Sequence, residues 1–440
     1  MASVYHYPPR EELLRSVAGP TPRGAKLGSI VLAVLGLVVF VAGLFLAPDR
    51  AWRAAHFNWL FFTTVSSAGV MFVGVQRITT ARWSRPVARF LEGYVAWLPV
   101  AWIILLLIVT VGQSHVFTWT HETPPVPEKR FYFGEGFFLL RVLGVYTLIT
   151  LISLWYVWTS VRLDVGVVPE AGAGWARGLR ERMRRGFGEE RRELHSTHSL
   201  QGKLAVFLVI LFAYGWESLS FDLSMSLSLH FQSTMYGWQF FMGGFLGMLA
   251  MWNLITRWWD RHYHLGHLVT ETTYHDLGKL CFAFAAFWGY LTFGQYIIIW
   301  YGNLPEETHF FHLRLIHPWV WLTTAVGVLM FVVPFFGLMG KKPKIWAPWM
   351  IGVAICVTVG LWLHRYIEVY PSTYGEIADL PFGIWEIGVT LGFLGLWGLC
   401  YLAFMDAFPR LRIVMMSSPY RDEVQVPVDP KTMEPLPAHE

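Results

Sequence analysis

The residues of this sequence that can exchange protons lie at the ends of long apolar runs. One group precedes the uncharged run 280–300 and consists of His275, Asp276 and Lys279. Helical spacing places Asp276 beside Lys279 at i, i+3 and His275 beside Lys279 at i, i+4. A carboxylate, an imidazole and an amine in contact can relay protons, so the group is a candidate point of proton entry. The alternative is an ordinary helix N-terminus, where the negative charge of Asp276 stabilises the first turn through the helix dipole.

A second set of polar residues lies near the far ends of the apolar runs. Ionisable groups at membrane depth are costly, so they usually face a bundle interior and often serve function. The candidates for a proton path on this side are Glu217, Gln295, His364 and Glu386. His364 also shares a helix face with Glu368 at i, i+4. The alternative for all of them is an interfacial side chain or a structural ion pair.

Between the two groups lie roughly 15–20 Å of mostly apolar helix, at a rise of 1.5 Å per residue. Waters held by Tyr290, Thr292 and Gln295 would have to fill that distance. The sequence therefore suggests an inner half-channel at Asp276 and Lys279. An outer one would run from Glu217 to Glu386, and a conformational change elsewhere would connect the two.

Long apolar helices have to position these groups, and the composition predicts them. The 440 residues are 55% hydrophobic and only 15% charged, with a mean hydropathy of +0.43. A soluble domain usually carries about 25% charged residues, so the chain is predicted to be a polytopic membrane protein. No basic run with interleaved aromatic residues occurs, so nucleic acid is not an expected partner.

Runs of about 20 apolar residues match the ~30 Å hydrocarbon core of a bilayer. We predict an all-α membrane protein with ten spanning helices, the third kinked at Pro99. The predicted spans are 27–47, 57–76, 91–112, 136–160, 204–219, 236–256, 280–300, 319–340, 345–363 and 383–408.

The charged segment 161–203 divides the chain into two halves. It carries nine basic and six acidic residues and separates helices 1–4 in 27–160 from helices 5–10 in 204–408. Helices 2–5 and 6–9 are each expected to form a four-helix bundle, flanked by helices 1 and 10. A polar N-terminal segment, 1–26, and a polar tail, 409–440, complete the chain.

The distribution of Lys and Arg predicts the orientation. The termini and the loops after even-numbered helices carry 26 of the 34 basic residues, and the other loops carry 6. Both termini are therefore expected in the cytoplasm.

Cofactor ligands are not predicted. The three cysteines, Cys281, Cys356 and Cys400, lie in apolar stretches, and no CxxC or CxxCH motif occurs. No histidine lies near the middle of a predicted span, although paired histidines inside a bundle would be needed for intramembrane haem b. We therefore expect no metal and no redox cofactor bound by this chain.

Several stretches in one order resemble the NrfD-like, polysulfide-reductase-type membrane subunits. The most specific is YHDLGKLCFAFAAFWGYLTFGQYIIIWYGNLPEET at 274–308. The others are GVMFVGVQRITTARWSRPVARFLE, YFGEGFFLLRVLGVY, SFDLSMSLSLHFQSTMYGWQFFMGGF and RYIEVYPS. The resemblance covers roughly 50–410 and is greatest to the second of the two NrfD-like subunits of bacterial alternative complex III.

The resemblance implies ten helices in two four-helix bundles with cytoplasmic termini, in the bacterial cytoplasmic (inner) membrane. It implies a complex that oxidises quinol or menaquinol and passes electrons to cytochrome c or an attached terminal oxidase. The partners would be membrane lipids, the other NrfD-like subunit, which is expected to hold quinol, and periplasmic subunits with iron–sulfur clusters and multihaem cytochrome c.

Our leading hypothesis is thus a cofactor-free subunit of a quinol-oxidising complex, with a role in assembly and proton movement. The first alternative is a quinol-binding catalytic subunit that uses His115, Glu135 and Arg141. There, His115 or Glu135 would accept quinol protons and Arg141 would bond a quinone oxygen. The second alternative is an independent transporter.

The loops 220–235 and 301–316 are long enough to contact a partner. We expect Leu223, Met225 and Leu227 to be exposed apolar residues of that surface. The charged residues expected beside them are Asp222, His230, Glu306 and Glu307.

Overall fold

The computed structural model describes residues 7–121 and 127–424, and all regular structure in these ranges is helical. Within them, ten helices are long and apolar enough to cross a membrane, which confirms the predicted all-α, ten-span class. In chain order, helices 1–10 are Arg23–Leu46, Pro48–Ile78, Arg85–Thr110, Glu135–Val167, Glu190–Leu223, Thr234–Tyr263, Glu271–Gly302, Trp319–Gly337, Ala347–Tyr374 and Ile384–Ala407.

Shorter helices fill the connections. They are Arg10–Ser16, Gln113–Val116, Thr118–Thr120, Pro127–Tyr132, Gly174–Ala176, Arg177–Arg184, Met225–Leu227, Leu265–His267, Pro305–Leu315, Lys341–Ile345, Ile413–Ser417 and Arg421–Val424.

The helices extend beyond several of the predicted spans. Helix 9 continues to Tyr374 instead of ending at 363, and helix 5 begins at Glu190 instead of 204. The connection between helices 4 and 5 is therefore 168–189, shorter than the predicted linker. Apolarity indicates where a helix meets lipid, whereas a helix continues wherever the protein itself satisfies its polar side chains.

Helix 3 is irregular just before Pro99, where a kink was predicted. Residues Gly93–Trp97 form a 3-10 turn between two α-helical segments. Proline has no N–H to donate to the carbonyl four residues earlier, which here belongs to Val95. The Leu98 N–H bonds to the Val95 carbonyl instead, in the tighter 3-10 pattern.

Helix 2 lies at the centre of the molecule. In its most apolar stretch, 94% of the residues are buried. The helix contacts helices 1, 3, 4, 5, 6, 9 and 10. Three indole N–H groups from surrounding helices donate to its polar side chains. The bonds are Trp97 to Thr63 Oγ1 at 3.1 Å, Trp362 to Asn58 Oδ1 at 3.1 Å and Trp397 to Ser66 Oγ at 2.9 Å.

Helix 1 is the most exposed span and packs chiefly against helix 10. Small residues allow the two backbones to touch, because a Cβ added at Gly36 would overlap Gly392. Near the same end of both helices, Asp406 accepts from Thr21 Oγ1 at 2.6 Å and forms an ion pair with Lys26. We call the side on which helix 1 begins and helix 10 ends the Asp406 face, and the other side the opposite face.

The expected exposure of the loop 220–235 is wrong in part. Leu223 and Leu227 are buried in the core of this chain, and only Met225 of the three is partly exposed. Asp222 is also buried. Helix 5 extends to Leu223, so these side chains turn inward and cannot form an apolar docking surface.

The packing of helices 1 and 10 gives a first prediction. Gly36→Leu should destabilise the protein by about 1–3 kcal/mol, because the added side chain has no room beside Gly392. Gly28→Leu is the matched control, since no atom lies within 4 Å of a Cβ built at Gly28 on the same helix. Thermal unfolding in detergent should show a lower midpoint for the first variant only, and equal midpoints would contradict the packing.

Candidate functional site: two buried charge clusters

The residues of the first cluster lie on helix 6, on helix 9 and on the short helix Pro305–Leu315. We call it the Glu368 cluster and define it as Gln239, Arg314, His364, Arg365 and Glu368. Each residue is at least nine-tenths buried. Helix 9 continues nine residues past Arg365, or about 14 Å, so the cluster is deeper than the helix end at which the sequence placed it.

Glu368 and Arg365 form a fully buried ion pair. Arg365 Nη1 lies 2.9 Å and 2.7 Å from the two carboxylate oxygens, and Nη2 donates to the Phe240 carbonyl at 2.7 Å. The guanidinium also stacks 3.4 Å from the centre of the Phe240 ring. An aromatic face and a carbonyl thus stabilise the cation, which is fully buried.

Arg314 adds a second cation. Its Nη2 donates to Ser372 Oγ at 2.8 Å and to the Glu368 main-chain carbonyl at 3.2 Å. Burial lowers the pKa of Arg314 to about 10, although Tyr236 and Glu368 act in the opposite direction. Arg314 therefore remains charged at neutral pH, and the cluster holds two permanent cations for one carboxylate.

His364 connects Glu368 to the neighbouring helices. Its Nε2 lies 3.3 Å from Gln239 Nε2, and the same amide nitrogen donates to Thr292 Oγ1 at 3.2 Å. Because an amide nitrogen only donates, the neutral imidazole accepts at Nε2 and carries its proton on Nδ1. That Nδ1 lies 3.4 Å from Glu368 Oε1, although the two atoms do not form a hydrogen bond.

The second cluster lies near the Asp406 face and was missed in the sequence. We call it the Glu92 cluster and define it as Arg89, Glu92, Asp164 and Arg412. Arg89 Nη1 lies 2.5 Å from Glu92 Oε2, and Arg89 Nη2 pairs with Asp164. Arg412 pairs with Glu92, and Asp164 Oδ1 accepts the Val414 N–H at 2.8 Å.

The charges of the Glu92 cluster balance, with two cations and two carboxylates. Burial alone would lower the pKa of Arg412, but Glu92, Tyr156 and Asp164 together raise it above its ordinary value. The sequence separated these residues into a predicted span end, a linker and a tail. Only the packing of helices 3 and 4 with the segment after helix 10 brings them together.

A cavity of about 60 Å³ adjoins this cluster. Gln76, Asp164, His198 and Arg412 are among the residues that line it. Gln76 is only 5% exposed, and neither polar atom of its amide has a partner among the described residues. At about 30 Å³ per water, the cavity has room for about two waters, which would satisfy Gln76 beside a buried carboxylate.

The group on helix 7 lies at the surface. Lys279 Nζ and Asp276 Oδ1 are 2.6 Å apart, as the i, i+3 spacing predicts, but the Lys279 side chain is 56% exposed. His275 is half-buried beside them. Tyr290 is 65% exposed on the outside of the helix, so it cannot hold water within a channel. This geometry is that of a solvated helix end.

The residues predicted for the other side do not form one site. Gln295 is buried and donates to Ser233 Oγ at 3.1 Å. Glu386 is fully buried and accepts from Arg50 at 3.0 Å and 2.7 Å. Tyr370 and the Gly383 N–H also donate to Glu386, which leaves it as a satisfied helix cap.

Glu217 is half-buried and lies against Gly237 of helix 6. Its neighbours thus belong to helices 5 and 6, whereas Glu386 is held by helices 2, 9 and 10. Among the described residues, no hydrogen bond or ion pair joins Glu217 to Glu386, so the expected outer half-channel stays a prediction.

The three quinol candidates are also separate. His115 Nδ1 lies 2.6 Å from Asp49 Oδ1 near the start of helix 2. Arg141 donates to both carboxylate oxygens of Asp222 at 2.8 Å and stacks on Tyr132. Two of its guanidinium nitrogens are therefore already bonded within the protein. Glu135 is exposed.

Comparison with known proteins adds no relative: no protein-family model matches the chain, and no curated protein matches it. Across residues 7–121 and 127–424, no three His, Cys, Asp or Glu side chains are grouped as metal ligands would be. The site is therefore characterised by its own geometry.

The buried ion pair gives a second prediction. Arg365→Met should cost about 3–5 kcal/mol of stability, because it leaves Glu368 charged and buried without its partner. The double variant with Glu368→Leu should cost less than the sum of the two single changes. Thermal unfolding of all three proteins in detergent measures this coupling. Arg177→Met, in an exposed pair with Glu181, is the control and should leave the midpoint unchanged.

Proposed function

We propose that this protein is a membrane subunit of a quinol-oxidising respiratory complex of the alternative complex III type. In this proposal it binds no redox cofactor, contributes to assembly and takes part in proton movement. The observation that carries the proton role is the Glu92 cluster beside a cavity whose buried Gln76 has no partner among the described residues. The resemblance of five long motifs to the NrfD-like subunits supports membership of the complex.

The proposal includes two four-helix bundles. Helix 2 contacts helix 3, helix 3 contacts helix 4, helix 4 contacts helix 5, and helix 5 contacts helix 2. Helices 6, 7, 8 and 9 contact one another in the same closed order. These two rings support the bundle arrangement, and the excess of Lys and Arg supports a cytoplasmic Asp406 face in a bacterial inner membrane.

Protons would enter at the Glu92 cluster. Two buried carboxylates, a hydrated cavity and His198 on the cavity wall are the components that a proton relay requires. By contrast, neither Asp276 nor Lys279 lines a cavity of this kind in the described part of the chain. We therefore assign the inner half-channel to Glu92 and Asp164, in place of the helix 7 group.

Protons would leave by the Glu368 cluster. The chain Thr292, Gln239, His364 and Glu368 joins three helices by contacts of 3.2–3.4 Å. Helix 2 sets the distance between the two clusters. Gln76 lies beside the first cluster, and Asn58 bonds to Trp362 near the second, so about 27 Å of helix separates them. A path must open during turnover to connect the clusters.

Electron transfer would be carried out by the partner subunits. Iron–sulfur clusters and haem c would be held by periplasmic subunits, and quinol by the other NrfD-like subunit. Purification of this chain from its native membrane tests that arrangement. Iron–sulfur and multihaem subunits should co-purify with it, whereas a transporter that acts alone would be recovered without them.

The proton role gives a third prediction. Gln76→Leu should lower the number of protons taken up per quinol oxidised, because an apolar side chain would empty the cavity of water. The change should not impair folding, since it removes a buried amide that has no partner in the described part of the chain. Proton uptake and release are measured in vesicles that contain the fully assembled complex.

The control is the double variant Asp276→Asn with Lys279→Met, which should match the wild type because these side chains are solvated. Glu92→Gln provides a second test within the cluster. Unchanged turnover and proton stoichiometry in both Gln76→Leu and Glu92→Gln would show that the cluster moves no protons.

A quinol-binding catalytic role is the second candidate, and one observation favours it. The pair of His115 and Asp49 is partly exposed near the opposite face and could accept two protons. One turn below Asp49, Trp52 lines an apolar groove of about 350 Å³ between helices 1, 2, 3 and 10. Such a groove suits an isoprenoid tail.

His115→Asn distinguishes the two functions and is our fourth prediction. Under the leading proposal, the assembled complex should oxidise quinol at nearly the wild-type rate. Under the second, loss of the base should slow oxidation by about 10²–10⁴-fold. His121→Asn is the matched control, because His121 is an exposed histidine of the same loop and its ring bonds to the Ser114 carbonyl.

A further inference from the structure

A groove of about 710 Å³ opens at the Asp406 face between helices 6, 7 and 9. Its lining combines charged and apolar side chains. Arg257, Asp260, Arg261, His264 and His267 are among the polar residues, and Ala347 and Ile351 of helix 9 form an apolar wall.

Arg257 is held in place but has no ionic partner in the described part of the chain. Its guanidinium stacks 4.1 Å from the centre of the Tyr274 ring, and Nε donates to Asn253 Oδ1 at 2.9 Å. Nη2 makes two longer bonds, each of 3.3 Å, to the Lys344 and Ile345 carbonyls. Among the described residues, no carboxylate lies within 4.0 Å of this cation.

Asp260, the one acid of the groove lining, lies near enough to act electrostatically on Arg257 but does not form an ion pair with it. Its Oδ2 accepts the Tyr274 hydroxyl at 2.6 Å. Arg261 on the next position is exposed and forms no ion pair in residues 7–121 and 127–424. The two arginines and the one carboxylate of the lining give the groove a net positive charge, and it therefore favours an anion.

The groove also lies at the level of a membrane interface. Trp258, next to Arg257, is exposed, and so are Trp346 and Trp349 at the start of helix 9. Exposed tryptophans gather at the headgroup level of a bilayer. A ligand here would meet Arg257 and Arg261 with its polar end and Ile351 with its apolar end.

We propose that this groove binds the phosphate of an anionic phospholipid, with an acyl chain along Ala347 and Ile351. The phosphate would supply the missing counter-charge to Arg257 and Arg261, since basic pockets between spanning helices recognise such headgroups. The site goes beyond the proposed function and does not depend on it. A soluble phosphate has the same charge, so the test must distinguish the two sources.

The test is a titration of the purified full-length protein in detergent, followed by native mass spectrometry. The probes are palmitoyl-oleoyl phosphatidylglycerol, phosphatidylcholine with the same chains, and inorganic phosphate. Phosphatidylglycerol should bind and raise the thermal midpoint, whereas the other two should do neither. Arg261→Gln should weaken phosphatidylglycerol binding about five-fold, the loss expected for one basic residue at an anionic surface.

Three further variants keep the result interpretable. Arg182→Gln removes an exposed cation from the Arg177–Arg184 helix and should bind as the wild type does. Arg257→Lys preserves the charge and should bind more tightly than Arg257→Gln. Equal binding of phosphatidylcholine, equal stabilisation by inorganic phosphate, or no loss in Arg261→Gln would each overturn the proposal.

Discussion

Helix 2 has to satisfy its polar groups where neither water nor lipid can reach them. Asn58, Thr63 and Ser66 are buried on it and accept indole N–H groups from helices 9, 3 and 10. A bond of this kind contributes about 1 kcal/mol, and an unmade one costs about 1–3 kcal/mol. Each bond fixes the height and rotation of the neighbouring helix, so the arrangement of the bundle depends on this one helix.

The charge clusters follow from that arrangement. Trp362 bonds to helix 2 two residues before His364, so the same bond sets the depth of the Glu368 cluster. The two clusters then differ in charge. Cations and carboxylates balance around Glu92, whereas Arg314 and Arg365 exceed the single carboxylate of Glu368. This surplus of positive charge keeps Glu368 in its ionised form, because two cations beside one carboxylate disfavour its protonation.

The sequence could predict the spans because each needs an apolar run of about 20 residues. It could also predict that His364 and Glu368 share a face, because that follows from helical spacing. It could not predict the Glu92 cluster, whose acids and bases come from three distant segments. It also could not establish whether Glu217 and Glu386 face each other, since sequence gives a residue's height on a helix but not the neighbour that it faces.

The two candidates for the inner half-channel are the Glu92 cluster and the helix 7 group. They differ in how far other helices bury their side chains, and not in their depth along a helix. In helix 7 only 28% of the most apolar window is buried, against 94% in helix 2. The side chains of Asp276 and Lys279 on helix 7 are 24% and 56% exposed, so their exchange with bulk water needs no dedicated path. Gln76 and Asp164 are both buried and line one small cavity. Under the proposed function, it is this burial of a carboxylate that favours the Glu92 cluster over the helix 7 group, because buried ionisable groups within a membrane usually serve function.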